Sequence, residues 1–114
     1  MVYLPVFATL LSTILCSVNA YSGNATWYQS SVGGCSVNDS NPEDFLVALG
    51  PSEYNGGASC SGLVRIDYDG KSVVATVNDL CPTCPPGNID LSATAFEELA
   101  ELSEFLISVT WDFV

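Results

Sequence analysis

The side chains that could do chemistry in this sequence are carboxylates and thiols: it holds 13 Asp and Glu, five cysteines and no histidine. General acid–base work would therefore fall to a carboxyl group, and soft-metal binding to thiolates. Cys81-Pro82-Thr83-Cys84 has the spacing of half a zinc site. Its would-be partners, Cys35 and Cys60, are singletons, and an oxidising compartment would favour bridges over metal. No metal and no cofactor is expected.

Which compartment applies is read from the start of the chain. Met1 to Ala20 has no charged side chain, and Val6 to Cys16 is apolar apart from Thr9, Ser12 and Thr13. The stretch closes on Val18-Asn19-Ala20, small residues where a signal peptidase reads, although the usual basic residue near the start is missing. A bilayer span needs about 18 to 20 uninterrupted apolar residues, and this stretch is shorter and broken by Pro5 and hydroxyls. The expectation is a secretory signal peptide over 1–20, one domain over 21–114, and an extracellular protein with no membrane attachment after cleavage. Cys16 leaves with the leader. The four remaining cysteines then read as two disulfides, with three connectivities open.

Charge narrows the partners. Against the acidic residues stand only Arg65 and Lys71, for a net charge of −11. Such a chain repels nucleic-acid phosphates, anionic membranes and strongly acidic polysaccharides. Neutral or cationic glycans remain open, as does a secreted protein partner, and a monomer is expected. Acidity that merely keeps a secreted protein soluble explains the same number equally well.

The elements follow from pattern. Ala25 to Gln29 alternates as a first strand, and Ser30 to Asp44 reads as a loop pinned by Cys35. Phe45 to Leu49 is a short buried strand ended by Gly50-Pro51. Leu63 to Tyr68 and Lys71 to Val77 flank Asp69-Gly70 and form a β-hairpin. Asn78 to Ile89 is a proline-rich constrained loop. Ser92 caps a helix over Ala93 to Leu102, and Leu106 to Phe113 is the last strand. An all-β class results, a small barrel with one short helix.

Several segments then resemble one family. Gly23-Asn24-Ala25-Thr26-Trp27-Tyr28 is similar to the opening G-x-A-T-x-Y strand of double-psi β-barrel domains. Val77-Asn78-Asp79-Leu80-Cys81-Pro82-Thr83-Cys84 resembles their V-x-D-x-C-P-x-C loop. Asn88-Ile89-Asp90-Leu91-Ser92 resembles the D-L-S segment, and Ile107-Ser108-Val109-Thr110-Trp111 the closing V-x-W strand. The group is the rare lipoprotein A (RlpA)-like, expansin-like and barwin-like one, and the likeness runs from about Tyr21 to Val114. It implies a six-stranded double-psi β-barrel with an open groove lined by Thr26, Tyr28, Asp79 and Asp90. It also implies the disulfides Cys35–Cys60 and Cys81–Cys84. Cys60-Ser61-Gly62 departs from the family's Cys-Gly by one extra residue. Nor is the second, carbohydrate-binding domain of full expansins expected.

Asp79 and Asp90, brought together and partly buried, would repel, and one would hold a raised pKa. A protonated Asp90 could then serve as general acid, with Asp79 as the second carboxylate that hydrolysis requires. The same pair could instead accept hydrogen bonds from sugar hydroxyls. The plainer reading makes Asp90 a local turn or cap residue, and Thr26 and Tyr28 ordinary strand formers. Asn24-Ala25-Thr26 and Asn38-Asp39-Ser40 are glycosylation acceptors, and a glycan on Asn24 would share the face of Thr26 and Tyr28. The leading expectation is a wall-polysaccharide binder without hydrolytic turnover. A lytic transglycosylase or weak glycosidase using Asp90, and an inhibitor or effector binding a protein through its loops, are the alternatives.

Overall fold

Alternation along Leu63–Tyr68 (β3) buries Val64 and Ile66 and exposes Leu63 and Arg65. Asp69 and Gly70 both take positive φ, 49° and 80°, the conformation a tight hairpin turn requires. The chain returns as Lys71–Leu80 (β4), three residues longer than its β-branched run suggests. The computed structural model describes residues 20–29, 33–35 and 44–114. The expected leader and the sequon at Asn38 lie outside the described residues.

Around this hairpin close Tyr21–Tyr28 (β1), Leu46–Leu49 (β2), Ile89–Ser92 (β5) and Ile107–Phe113 (β6). The strand order is β1-β5-β2-β4-β3-β6, a closed six-stranded barrel. Two pairs, β1 with β5 and β2 with β4, are parallel, and the rest are antiparallel. This is the double-psi fold that the motifs imply. Each strand turns its apolar parity inward, so Ala25, Val47, Leu49, Ile66, Leu91 and Trp111 meet in one core. Trp111 is wholly buried, and its indole N–H donates to the Gly87 carbonyl at 2.9 Å. Gly23 is forced by the same packing: a Cβ there would lie 2.5 Å from the Gly87 oxygen.

Three local expectations are corrected. The helix α2 covers only Ala93–Glu97, not Ala93 to Leu102. Glu97, Glu98 and Glu101 crowd the end where the helix dipole is negative, and the chain turns so that Leu99 enters the core. A 3-10 turn over Leu102–Glu104 follows. The stretch read as a loop, Asn78 to Ile89, supplies the end of β4 and the start of β5. A further helical turn, Pro51–Tyr54 (α1), was not expected after Gly50, yet a proline is well placed at the first helical position. The extra residue at Ser61 is absorbed by a positive φ of 68°.

Candidate functional site

The four family-implied residues come together on the outer face of the barrel, and the pairing explains how. Thr26 of β1 stands opposite Asp90 of β5, Asp90 opposite Ala48 of β2, and Ala48 opposite Asp79 of β4. Their neighbours Ala25, Ile89, Leu91 and Val47 are core residues, so period-two alternation sends this row outward. Thr26, Asp90, Ala48 and Asp79 thus form one line across four strands. Asp79 and Asp90 stand two strand spacings apart, about 9.6 Å between backbones across the sheet.

Asp79 reaches that line because of one irregularity. The β2–β4 register shifts between Val47, which faces Val77, and Ala48, which faces Asp79. Asn78 is the extra residue of this bulge. In an unbroken strand Asp79 would share the inward parity of Val77, so the bulge re-aims its carboxylate to the surface. Its Oδ1 then accepts the N–H groups of Leu80 and Gly34, each at 2.8 Å. Gly34 is held by its neighbours: the Cys35 N–H donates to the Asn78 carbonyl at 3.1 Å, and Cys35 is bridged to Cys60. At Gly33 a Cβ would lie 2.1 Å from the Asn78 oxygen, so only glycine lets this segment approach β4 so closely. On the other flank the Cys81–Cys84 bridge closes the turn leaving β4, and the Cys81 N–H donates to the Leu49 carbonyl at 2.7 Å.

Asp90 is not the helix cap. That part falls to Ser92, whose hydroxyl accepts from the Ala95 N–H. The Asp90 carboxyl instead accepts from the Thr26 hydroxyl at 2.9 Å. Partial burial pushes its pKa up, the Thr26 bond pulls it down, and the charge of Asp79 adds to the rise. Asp90 therefore holds its proton more readily than a free aspartate does.

Tyr28 lies one alternation beyond Thr26. Its hydroxyl donates to Asn78 Oδ1 at 2.8 Å, so the phenol ties β1 to the bulge of β4. Burial first, then the charges of Asp79 and Asp90, raise its pKa well above the ordinary tyrosine value. The phenol thus stays protonated as a donor. Trp27 takes the opposite parity, donates its indole N–H to the Leu102 carbonyl at 2.9 Å and stacks on Phe105. Asn24 stands outward beside Ser108, one alternation before Thr26 on the same face.

Sequence reasoning missed Asn78 and Ala48. Asn78 is 1% exposed, forms the bulge and accepts from Tyr28, while its Nδ2 has no partner. A buried polar residue within a β-rich run was the available signal. Ala48 gave none, because a small residue between two acids is visible only once the strands are paired. Among the described residues no group of three His, Cys, Asp or Glu is arranged to hold a metal ion. No cation of the chain reaches the row: Arg65 pairs with Asp67, and Lys71 lies over the Tyr68 ring. Chemically, the row offers a protonatable carboxyl, a fixed carboxyl acceptor, and a phenol bonded to the bulge beside it.

A family model described as lytic transglycolase matches residues 20–111. The chain is 33% identical over 101 residues to a papain inhibitor of Streptomyces mobaraensis, covering 82% of this chain and 71% of that protein. It is 36% identical over 83 residues to the "Allergen Asp f 7 homolog" of Arthroderma benhamiae, covering 68% of this chain but 28% of that one. Among solved structures, an apo expansin of Clavibacter michiganensis aligns with a TM-score of 0.76 at 28% identity, over 82% of this chain and 50% of the expansin. A variant of that expansin in complex with cellohexaose aligns at 0.71. The chain thus spans half or less of the allergen homolog and the expansin.

Proposed function

Because the chain belongs to the lytic transglycolase family of double-psi β-barrels, we propose that it is a secreted, expansin-like protein that binds wall polysaccharide through its outer groove without hydrolysing it. The observation that carries this reading is the row Thr26–Asp90–Ala48–Asp79 with the Tyr28 phenol beside it. Hydrogen-bonding groups on a half-buried strip, flanked by an aromatic side chain, suit sugar hydroxyls and ring faces. Likeness to an expansin with a cellohexaose-bound form supports glycan as the ligand class.

Hydrolysis fits the site less well. A retaining pair of carboxyls sits about 5–5.5 Å apart with one acting as nucleophile, and an inverting pair about 6.5–9.5 Å apart with one acting as a base on water. Here β2 separates the two, and Asp79 is tied to two backbone N–H groups as a fixed acceptor. Asp90 alone could act as a general acid, which a lytic transglycosylase could use, because the sugar's own hydroxyl attacks. That is the enzyme alternative.

A protein partner is the second reading, favoured by the papain inhibitor relative. In it the loops carry function and Asp90→Asn is silent.

Sedimentation of the protein with insoluble cellulose, chitin and peptidoglycan separates the readings. Retention on one glycan, weakened in Asp90→Asn and without soluble sugar release, is the expected result. Release of anhydro-sugar products would move the enzyme to first place. Absence of retention on all three, together with inhibition of papain, would replace glycan binding by protease binding.

A further inference from the structure

Tyr28 has two flanks. One faces the Thr26–Asp90–Asp79 row. The other opens into a cavity of about 350 Å³ next to α2, whose walls include Tyr28, Gln29, Leu46, Thr94, Glu97 and Leu102. The groove's wall is therefore also this cavity's wall. Nothing in the site described above uses it.

We infer that this cavity is a further sugar subsite, taking one uncharged pyranose unit of the glycan that lies over Asp90. The inference rests on the glycan-binding reading and extends it by one unit. The volume lies at the lower end of the range for small-molecule pockets, enough for a single sugar ring rather than an oligomer. The lining has the two faces a pyranose needs. Leu46 and Leu102 give apolar surface for its C–H face, and Gln29 and Glu97 give amide and carboxylate groups at the rim for its hydroxyls. The Ser92 and Thr94 hydroxyls both donate to the Asp44 carbonyl, which fixes the wall on the α2 side. Ser92 also caps α2, so cavity and helix are built from the same bonds.

Selectivity follows from charge. Glu97 is exposed at the mouth, and no lysine or arginine lines the cavity. A uronic acid would meet a carboxylate with no cation to offset it, whereas a neutral hexose meets an acceptor. Position supplies the continuity. Tyr28 stands two residues beyond Thr26 on one strand, about 6.6–6.8 Å along it. A glycan directed along β1 passes from Asp90 over the phenol edge into the cavity.

The test uses cello-oligosaccharides of two to six units, with calorimetry for affinity and amide NMR for location. In the wild type, affinity rises roughly tenfold at the length that first carries a unit past Tyr28, as ring burial plus a hydrogen bond would give. The amides of Thr94 and Glu97 shift only from that length onward. Ala93→Trp, which fills the cavity, brings the long-to-short affinity ratio down to about one, and Glu97→Ala, on the exposed rim, lowers it roughly threefold. The same spectra report whether Ala93→Trp is folded. Asp90→Asn weakens every length alike and keeps the ratio. Binding with shifts confined to Thr26, Asp79 and Asp90, and no length step, overturns the subsite and leaves the glycan-binding reading standing. No binding at any length overturns both.

Discussion

The barrel has two outer faces of opposite character. On the β3–β4 hairpin, charge is neutralised locally: Arg65 meets Asp67 at 3.1 Å and Lys71 sits over the Tyr68 ring. On the β1–β5–β2–β4 face, Asp79 and Asp90 share one row with no cation nearby. The hairpin is regular throughout its register, whereas the other face contains a bulge and a buried amide with one nitrogen unpaired. The contrast is instructive because both faces wrap one core. Both cations of the chain lie on the hairpin face, away from the row. The face that keeps uncompensated charge and irregular pairing is where ligand is expected to act.

Deleting Asn78 tests the contrast most severely. Asp79 then follows Val77 directly and keeps its outward parity, but the Tyr28 hydroxyl loses its acceptor and the Cys35 N–H the carbonyl it donates to. A loss on the order of 2–3 kcal/mol is expected, seen as a fall in the urea midpoint.

Those two faces were also unequally legible in the sequence. The hairpin was readable from residues alone, because Asp-Gly between alternating β-branched runs specifies turn and register together. The closed barrel and the Thr26–Asp90 adjacency came from resemblance, since parallel pairing between residues 64 positions apart leaves no local trace. The bulge at Asn78 was hidden by the prolines that follow it, which made the end of β4 look like loop. The helix was overextended because the apolar spacing of Leu99 and Leu102 continues past the point where carboxylates end it.

Thr26→Val removes the donor from Asp90 with little change of shape. The loss in stability should be about 1 kcal/mol. The Asp90 pKa should rise further, since the Thr26 bond is what lowers it; a carboxyl NMR titration reads this directly. A downward shift would mean that the bond is not made in solution.

Asp90→Asn has a smaller effect whose sign depends on pH. Burial raises the folded-state pKa of Asp90 above its unfolded value. Its favourable contribution is thus complete below the ordinary carboxylate range, near about 3.9, and is lost as pH rises through the raised value. The variant should therefore melt higher than wild type near neutral pH, and the difference should shrink toward strong acid. Calorimetry at several pH values checks it. The smallest effect belongs to the other face. Arg65→Ala removes an exposed ion pair and should cost no more than about 0.5 kcal/mol, a difference that fades in high salt.

The strand order has a consequence in time. β1 is the first strand to be synthesised, yet both of its neighbours, β5 and β6, come at the far end of the chain. Chains dominated by such distant pairings fold slowly, because loop closure must precede the contacts that reward it. The hairpin of β3 and β4 can form as soon as it emerges, but the barrel cannot close until β6 is complete. Thr26 has no Asp90 beside it until β5 has been made, so the row across β1, β5, β2 and β4 forms late in synthesis, with closure through β6 following it.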